Sequence, residues 1–144
     1  MAMQYITIKQ SFKAPIERVF QELTDHVAFG KILGANITRI KDGSGGFKNG
    51  LGSVRQISVF PAPAFEEEVI TFEPNKLMEY KVSKGSPIKN HIGRMEFTTS
   101  AGMTHLHYTI QFEPKVALPL LGPLLKKAIE TPIVKGLKKL ANKY

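Results

Sequence analysis

Two charged side chains on neighbouring strand-like segments have the spacing of an inward-facing ion pair. Arg55 shares strand parity with the apolar Ile57, and Glu68 shares parity with Ile70, so each charge is expected on the apolar face of its strand. A guanidinium keeps its proton and needs an ionic partner or water when it is buried. Pairing Arg55 with Glu68 leaves a loop of common hairpin length. The sequence therefore predicts an inward Arg55–Glu68 ion pair.

An inward Arg55 has three interpretations that the sequence leaves open. It contacts a ligand together with Ser53, which shares its parity. Alternatively, it forms a structural pair that fixes the strand register. In the third interpretation it lies at a strand end with its charged head in solvent.

Three further polar side chains are expected on the same inner surface: Tyr80, His91 and Tyr108. Histidine titrates near neutral pH, so His91 is a candidate general base. No second catalytic group is fixed beside it by spacing, and this favours a structural histidine in the wall. The tyrosine hydroxyls either meet a ligand oxygen or complete the core. Arg55, His91 and Tyr80 are the candidates for catalysis.

Motifs for metals and cofactors are missing from the sequence. His105 and His107 share one strand face at positions i and i+2, but parity turns that face outward and no third ligand is evident. The chain has no Ser-His-Asp pattern, phosphate-binding loop or GxGxxG. We expect neither a metal site nor a cofactor.

The elements that position these side chains follow an α+β order. Residues 5–12 alternate as a half-buried strand, and two short helices are predicted at about 15–24 and 25–33, the second ended by Gly34. Six more strands, joined by hairpins into an antiparallel sheet, are expected near residues 36–41, 51–60, 65–73, 77–84, 91–99 and 104–113.

A long helix is predicted from Leu118 to the C-terminus, because apolar residues recur there at helical spacing. Pro132 interrupts the pattern and predicts a kink. The seven-stranded sheet has one apolar face, which this helix and the two short ones must cover.

Length and composition fit one domain spanning residues 1–144. The chain has no cysteine, which excludes disulfides and thiolate metal sites. The N-terminus lacks a secretory pattern, and no apolar run reaches the ~18 residues of a membrane span. We expect a soluble, cytoplasmic protein.

The net charge of +8 is concentrated near the C-terminus, where residues 126–143 contain six lysines and one acidic residue. A solvated helix face is the default interpretation. Transient contact with an anionic membrane is the alternative. Nucleic-acid binding is not expected, because no recognition helix, zinc motif or stacking platform is evident.

Five segments, in their order along the chain, resemble the SRPBCC superfamily, also called START-like or Bet v-like. They are residues 14–20, 50–55, 67–74, Leu77 with Tyr80, and 102–104. The closest subgroup is the polyketide cyclase/dehydrase and lipid transport group. The resemblance implies a helix-grip fold, in which a curved antiparallel sheet wraps around a long C-terminal helix and encloses an apolar cavity. A Ser-x-Arg on a cavity strand, here Ser53 to Arg55, would orient a ketone or enolate in such a protein.

Two hypotheses follow for function. The first is binding or transport of a hydrophobic or amphipathic molecule, lipid-like or polycyclic, by a monomer or weak dimer. The second is a cyclase or dehydratase that uses Arg55, Tyr80 and His91. The predicted ligand-binding set combines inward strand positions with helix positions: Phe20, Phe29, Ser53, Arg55, Ile57, Glu68, Ile70, Met78, Tyr80, His91, Met95, Phe97, Leu106, Tyr108, Ile110, Leu125, Ile129 and Ile133.

Overall fold

The computed structural model describes residues 3–59 and 63–144. Its elements follow the predicted order: β1 (Gln4–Phe12), α1 (Ile16–Thr24), α2 (His26–Leu33), β2 (Asn36–Lys41), β3 (Val54–Ser58), β4 (Phe65–Glu73), β5 (Leu77–Lys84), β6 (Ile88–Ser100), β7 (Met103–Pro114) and α3 (Leu121–Ala141). β3 is shorter than predicted because Leu51 and Gly52 lie in a turn. Residue 60 of the predicted strand lies outside the described residues.

The strands form a seven-stranded antiparallel sheet in the order β1-β7-β6-β5-β4-β3-β2. β1 and β2 therefore lie at opposite edges, and α1 and α2 connect one edge to the other. With α3 on the same face, this is the predicted helix-grip fold. Among the described residues, no helix is long and apolar enough to cross a bilayer.

Local signals in the sequence define the ends of the short helices. Asp25 caps α2, because the Ala28 backbone N–H donates to its Oδ1 at 2.9 Å. Gly34 ends α2 in the left-handed conformation, with φ 71°, which a residue without a Cβ adopts at little cost. The chain then turns directly into β2.

α3 begins three residues later than predicted, after Leu120 in the left-handed conformation. Pro132 lies inside this helix, and the kink there stays a prediction. The C-terminal half of α3 carries the buried side chains of Ile133, Leu137 and Leu140.

A β-bulge in β4 reverses the side-chain alternation and corrects two predictions. The register against β5 shifts between Val69 and Thr71, so Val69 and Glu67 face inward together with Phe72. The predicted inward positions of Glu68 and Ile70 are wrong, because regular side-chain alternation does not continue through this bulge. Glu68 instead pairs across the ladder with Val54.

The space between the sheet and the helices has two parts, a packed core and a cavity. Beneath α1, Phe20 packs against Phe97 and Phe72, with ring centroids 5.0 and 5.4 Å apart. Several inward residues predicted to bind ligand lie in the packed core instead of the cavity wall: Phe20, Met78, Met95, Phe97 and Leu106. Strand parity correctly predicts that the strand residues among them face the inner side of the sheet. It does not predict which part of that inner side is filled by packed side chains.

Candidate functional site

A cavity of about 350 Å³ lies beside this core, between the sheet and the helices α2 and α3. Its wall is mostly apolar. Part of the predicted ligand-binding set lines it, namely Phe29, Ile57, Tyr80, His91, Tyr108, Ile110, Leu125, Ile129 and Ile133. The wall also contains residues that the sequence reasoning missed, among them Leu33, Ile37, Glu67, Val82 and Ile88.

The hydroxyl groups of Tyr80 and Tyr108 hydrogen-bond to each other in this wall. Both side chains are buried, and burial is the main cause that raises the pKa of each phenol. Both tyrosines are therefore neutral at physiological pH. Because one hydroxyl donates to the other, the pair keeps one hydroxyl hydrogen to donate elsewhere.

Gly93 makes room for the Tyr80 ring. The two residues are directly paired between β5 and β6, and a Cβ at position 93 would collide with the ring carbons. The absent side chain lets the ring lie against the β6 backbone, and this sets where the Tyr80 hydroxyl meets Tyr108.

His91 accepts a backbone hydrogen bond in this arrangement, and that bond fixes its tautomer. The Val82 backbone N–H donates to His91 Nδ1 at 3.0 Å, so Nδ1 carries a lone pair and the hydrogen of the neutral ring is on Nε2. Burial lowers the pKa of His91, the Glu67 carboxylate raises it, and the Arg55 charge lowers it. The centroid of the imidazole ring lies 5.5 Å from the centroid of the Tyr80 ring. In this tautomer His91 has its Nε2–H available as a donor, and its role as a general base stays a prediction.

Arg55 lies behind the wall and its ionic partner is Glu67. The Arg55 Nε donates to Glu67 Oε1 at 2.9 Å, and Nη2 lies 2.8 Å from the same oxygen. The rings of Tyr80 and Phe29, which line the cavity, lie 4.5 and 5.2 Å from the guanidinium carbon. The predicted partner Glu68 is wrong, since the β4 bulge brings its neighbour inward. Glu67 reaches the cavity wall itself.

His26 supports Arg55 from the helical side and was not among the predicted site residues. Its Nδ1 lies 3.4 Å from Arg55 Nη1, and its Nε2 lies 2.9 Å from Ser53 Oγ. Because a guanidinium only donates, Nδ1 accepts and Nε2–H donates to Ser53. Burial, followed by the charges of Arg55 and Arg39, lowers the pKa of His26 to about 3. Ser53 belongs to this buried network and does not line the cavity.

One of the two histidines predicted on the outer face, His105, is held by serine hydroxyls. His105 lies between the hydroxyls of Ser11 and Ser100, at 2.8 and 2.7 Å from its two ring nitrogens. Across residues 3–59 and 63–144, no group of three or more His, Asp or Glu side chains is placed to hold a metal ion.

Polar groups converge on one side of the cavity, and we call Glu67, Tyr80, His91 and Tyr108 the polar strip. It offers two uncharged donors, the His91 Nε2–H and one tyrosine hydroxyl. It also offers the Glu67 Oε2 as an acceptor, because Oε1 already faces Arg55. Such a strip can orient a hydroxyl or carbonyl group on a molecule that is otherwise surrounded by apolar side chains.

Fold and cavity together define a helix-grip protein with an internal, mostly apolar cavity. The family described as polyketide cyclase / dehydrase and lipid transport matches residues 3–144, and the chain belongs to this family. No curated protein sequence matches the chain.

Solved structures share the fold at low sequence identity. The Zhui aromatase/cyclase from Streptomyces sp. R1128 is 16% identical with a TM-score of 0.77, over 99% of this chain and 95% of that one. Norcoclaurine synthase from Thalictrum flavum, in complex with dopamine and hydroxybenzaldehyde, is 12% identical with a TM-score of 0.72, over 99% and 88%. The Aha1 dimer from Colwellia psychrerythraea is 17% identical with a TM-score of 0.67, over 96% and 94%. An aromatase/cyclase and a synthase thus share this architecture with the Aha1 dimer, and the fold alone does not assign a function.

Proposed function

We propose that the protein binds a small, uncharged, ring-containing molecule that carries a hydroxyl or carbonyl group. The observation that carries this proposal is the polar strip in a wall that is otherwise apolar. A bare hydrocarbon would leave the His91 Nε2–H and the free tyrosine hydrogen without an acceptor, which costs free energy in a buried site. An amphipathic guest supplies that acceptor.

The size of the cavity favours a compact guest. Its volume of about 350 Å³ lies near the lower end of the ~300–1,000 Å³ typical of small-molecule sites. A one- or two-ring compound suits this volume, and a lipid with two long acyl chains does not. The aromatic side chains Phe29, Phe65, Tyr80 and Tyr108 in the wall favour a ring over a flexible chain.

The charges in the wall favour a neutral guest. The Arg55 charge is paired with Glu67 and covered by the rings of Tyr80 and Phe29. The Glu67 carboxylate lines the cavity, so an anionic guest would lose its hydration and meet a like charge. The small aromatic ligands in the norcoclaurine synthase structure support the same size class for this chain.

An enzyme of the cyclase or dehydratase type is the second candidate, and one observation favours it. Two neutral donors, on His91 and the tyrosine pair, lie in the same wall as a carboxylate, Glu67. Donors of this kind stabilise a developing enolate oxygen, and Glu67 would be the proton acceptor. Arg55 would act through Glu67 and Tyr80. We rank binding first because the candidate base Glu67 is already held in an ion pair with Arg55.

A matched set of three probes tests the binding proposal: 2-naphthol, naphthalene and 2-naphthoate, each titrated calorimetrically. We expect 2-naphthol to bind about 3- to 10-fold more tightly than naphthalene, the value of one hydrogen bond, and 2-naphthoate to bind most weakly. Tightest binding of 2-naphthoate would contradict the neutral guest. Native mass spectrometry of the purified protein would identify a molecule retained from cells, and turnover of that molecule would favour the enzyme.

Several broader properties remain proposals. Residues 1–144 act as one domain, the protein is a monomer or weak dimer, and it functions in the cytoplasm. Transient contact of the lysine-rich α3 with an anionic membrane is supported by its charge.

A further inference from the structure

Exposed apolar side chains lie in the segment before the lysine-rich helix α3 and in the first turn of that helix. Val116, Leu118, Leu120 and Leu124 are 56, 59, 79 and 65% exposed. We call them the apolar tip. These four large apolar side chains are exposed within nine residues of sequence, and concentrated apolar exposure often marks an interaction site.

The lysines of α3 continue this surface along the helix. Helical spacing places Leu124, Lys127, Thr131, Lys135 and Lys138 on one face, and all five are exposed. Together with Lys126, Glu130 and other side chains, the three lysines line a broad groove on the outside of α3. In the part of the chain that the structure describes, none of these lysines forms an ion pair.

The charge of this region fits an anionic partner. Residues 115–144 carry seven lysines, and Glu130 is their single acidic residue. A second copy of this chain would bring like charges together, which disfavours self-association through this face. A nucleic acid would satisfy the lysines but would leave the apolar tip in water.

We infer that the apolar tip inserts into the interfacial region of an anionic bilayer while Lys127, Lys135 and Lys138 lie over its headgroups. Apolar insertion and attraction to anionic lipid reinforce each other in peripheral binding of this kind. The inference extends the charge-based contact above by naming the inserting residues, and it does not depend on which molecule the cavity holds. Leu125, Ile129 and Ile133 of the same helix line the cavity, so docking would bring the cavity wall close to the bilayer.

Vesicle flotation tests this docking. The probes are vesicles of phosphatidylcholine alone and of phosphatidylcholine mixed with phosphatidylserine, each at low and high salt. We expect binding to the mixed vesicles, weakening as salt screens the charges, and at least tenfold weaker binding to phosphatidylcholine alone. Equal binding to both vesicles, or binding to neither, would overturn the proposal.

Two sets of variants separate charge from insertion. K127Q/K135Q/K138Q should weaken binding by about fivefold per lysine, whereas K81Q/K84Q/K89Q, three exposed lysines on β5 and β6, should bind as the parent does. L120S/L124S should weaken binding by roughly tenfold, and I40S/L51S, which alters two apolar residues elsewhere that are 50 and 48% exposed, should not. All substituted side chains are exposed, and circular dichroism would verify the fold.

Three results would contradict the proposal. An equal loss in K81Q/K84Q/K89Q would indicate attraction by the net charge alone. Undiminished binding of L120S/L124S would exclude insertion of the apolar tip. Light scattering that shows a dimer dissociated by L120S/L124S, without vesicle binding, would assign the tip to a second copy of the chain.

Discussion

The Arg55 guanidinium lies 2.8 Å from the Glu67 carboxylate, at directly paired positions of β3 and β4. The side chains of the two residues are 1 and 9% exposed, so both charges have lost most of their hydration. Their mutual attraction must offset that loss. The pair is also part of the cavity, because Glu67 lines the wall and Tyr80 lies over the guanidinium.

Removing the Glu67 charge should be strongly destabilising, because it leaves a buried guanidinium without compensation. We expect Glu67→Gln to lower the free energy of unfolding by about 3 kcal/mol or more, measured by urea denaturation at neutral pH. Glu68→Gln is the matched control and should change it by less than about 0.5 kcal/mol. A larger effect at Glu68 than at Glu67 would contradict the register described above.

This one-residue difference shows where sequence reasoning succeeds and fails. Alternation placed Arg55, Tyr80 and Tyr108 on the inner face correctly, because their strands are regular at those positions. In β4 the bulge between Val69 and Thr71 breaks the alternation, and nothing in the residue types there marks it. The bulge adds one residue to the strand. Regular alternation therefore predicts Glu68 as the partner of Arg55, whereas the structure has Glu67 in that position.

The sequence also does not predict which part of the interior is packed and which part stays open as a cavity. Met95 and Phe97 face inward like Tyr108, yet they lie in the packed core while Tyr108 lines the cavity. Which part stays open depends on where α1 and α3 lie over the sheet, a tertiary property that strand parity does not contain. His26 was missed for the same reason, since only the packing of α2 brings it to Arg55.

Stability should fall with acid because His26 is buried in its neutral form. Its pKa is lowered from 6.5 to about 3, so the folded state resists the proton that the unfolded chain accepts. The stabilisation is complete above pH 6.5 and is lost as the pH falls toward 3, by about 1.4 kcal/mol per pH unit for one proton. Urea denaturation at a series of pH values measures this slope.

Two histidine variants test whether His26 causes this dependence of the unfolding free energy on pH. His26→Gln should flatten the dependence of the unfolding free energy on pH by about one proton. His107→Gln, which alters an exposed histidine on the outer face, should leave the slope unchanged. An unchanged slope in His26→Gln would show that His26 is not the neutral buried group.

The tyrosine hydroxyl pair should contribute to both stability and binding. Tyr80→Phe or Tyr108→Phe leaves the other hydroxyl without its buried partner, at a cost of about 1–2 kcal/mol in the free energy of unfolding. The double variant should cost less than the sum, because no unpaired hydroxyl remains. Calorimetry should show the affinity for 2-naphthol falling about 3- to 10-fold in the double variant, which has no tyrosine hydroxyl left to donate. Additive stability losses would argue against the pair.

Substituting Gly93 should test how tightly the Tyr80 ring of the polar strip is packed. A Cβ at this position collides with the Tyr80 ring, so Gly93→Ala must push the ring away from the β6 backbone. Tyr108 then loses its hydroxyl partner and the guanidinium of Arg55 loses the ring 4.5 Å from its central carbon. We expect a loss of about 1–3 kcal/mol in the free energy of unfolding, together with weaker binding of 2-naphthol.

The control for Gly93→Ala removes the colliding ring. In a Tyr80→Ala background the same substitution should cost less than in the parent, because the added methyl group now enters vacated space. Urea denaturation of the four proteins gives the coupling free energy between the two positions. A coupling near zero would mean that the Tyr80 ring does not depend on the absent side chain. A clear favourable coupling would identify Gly93 as the residue that holds the Tyr80 hydroxyl where it meets Tyr108, and hence as a determinant of what the cavity can bind.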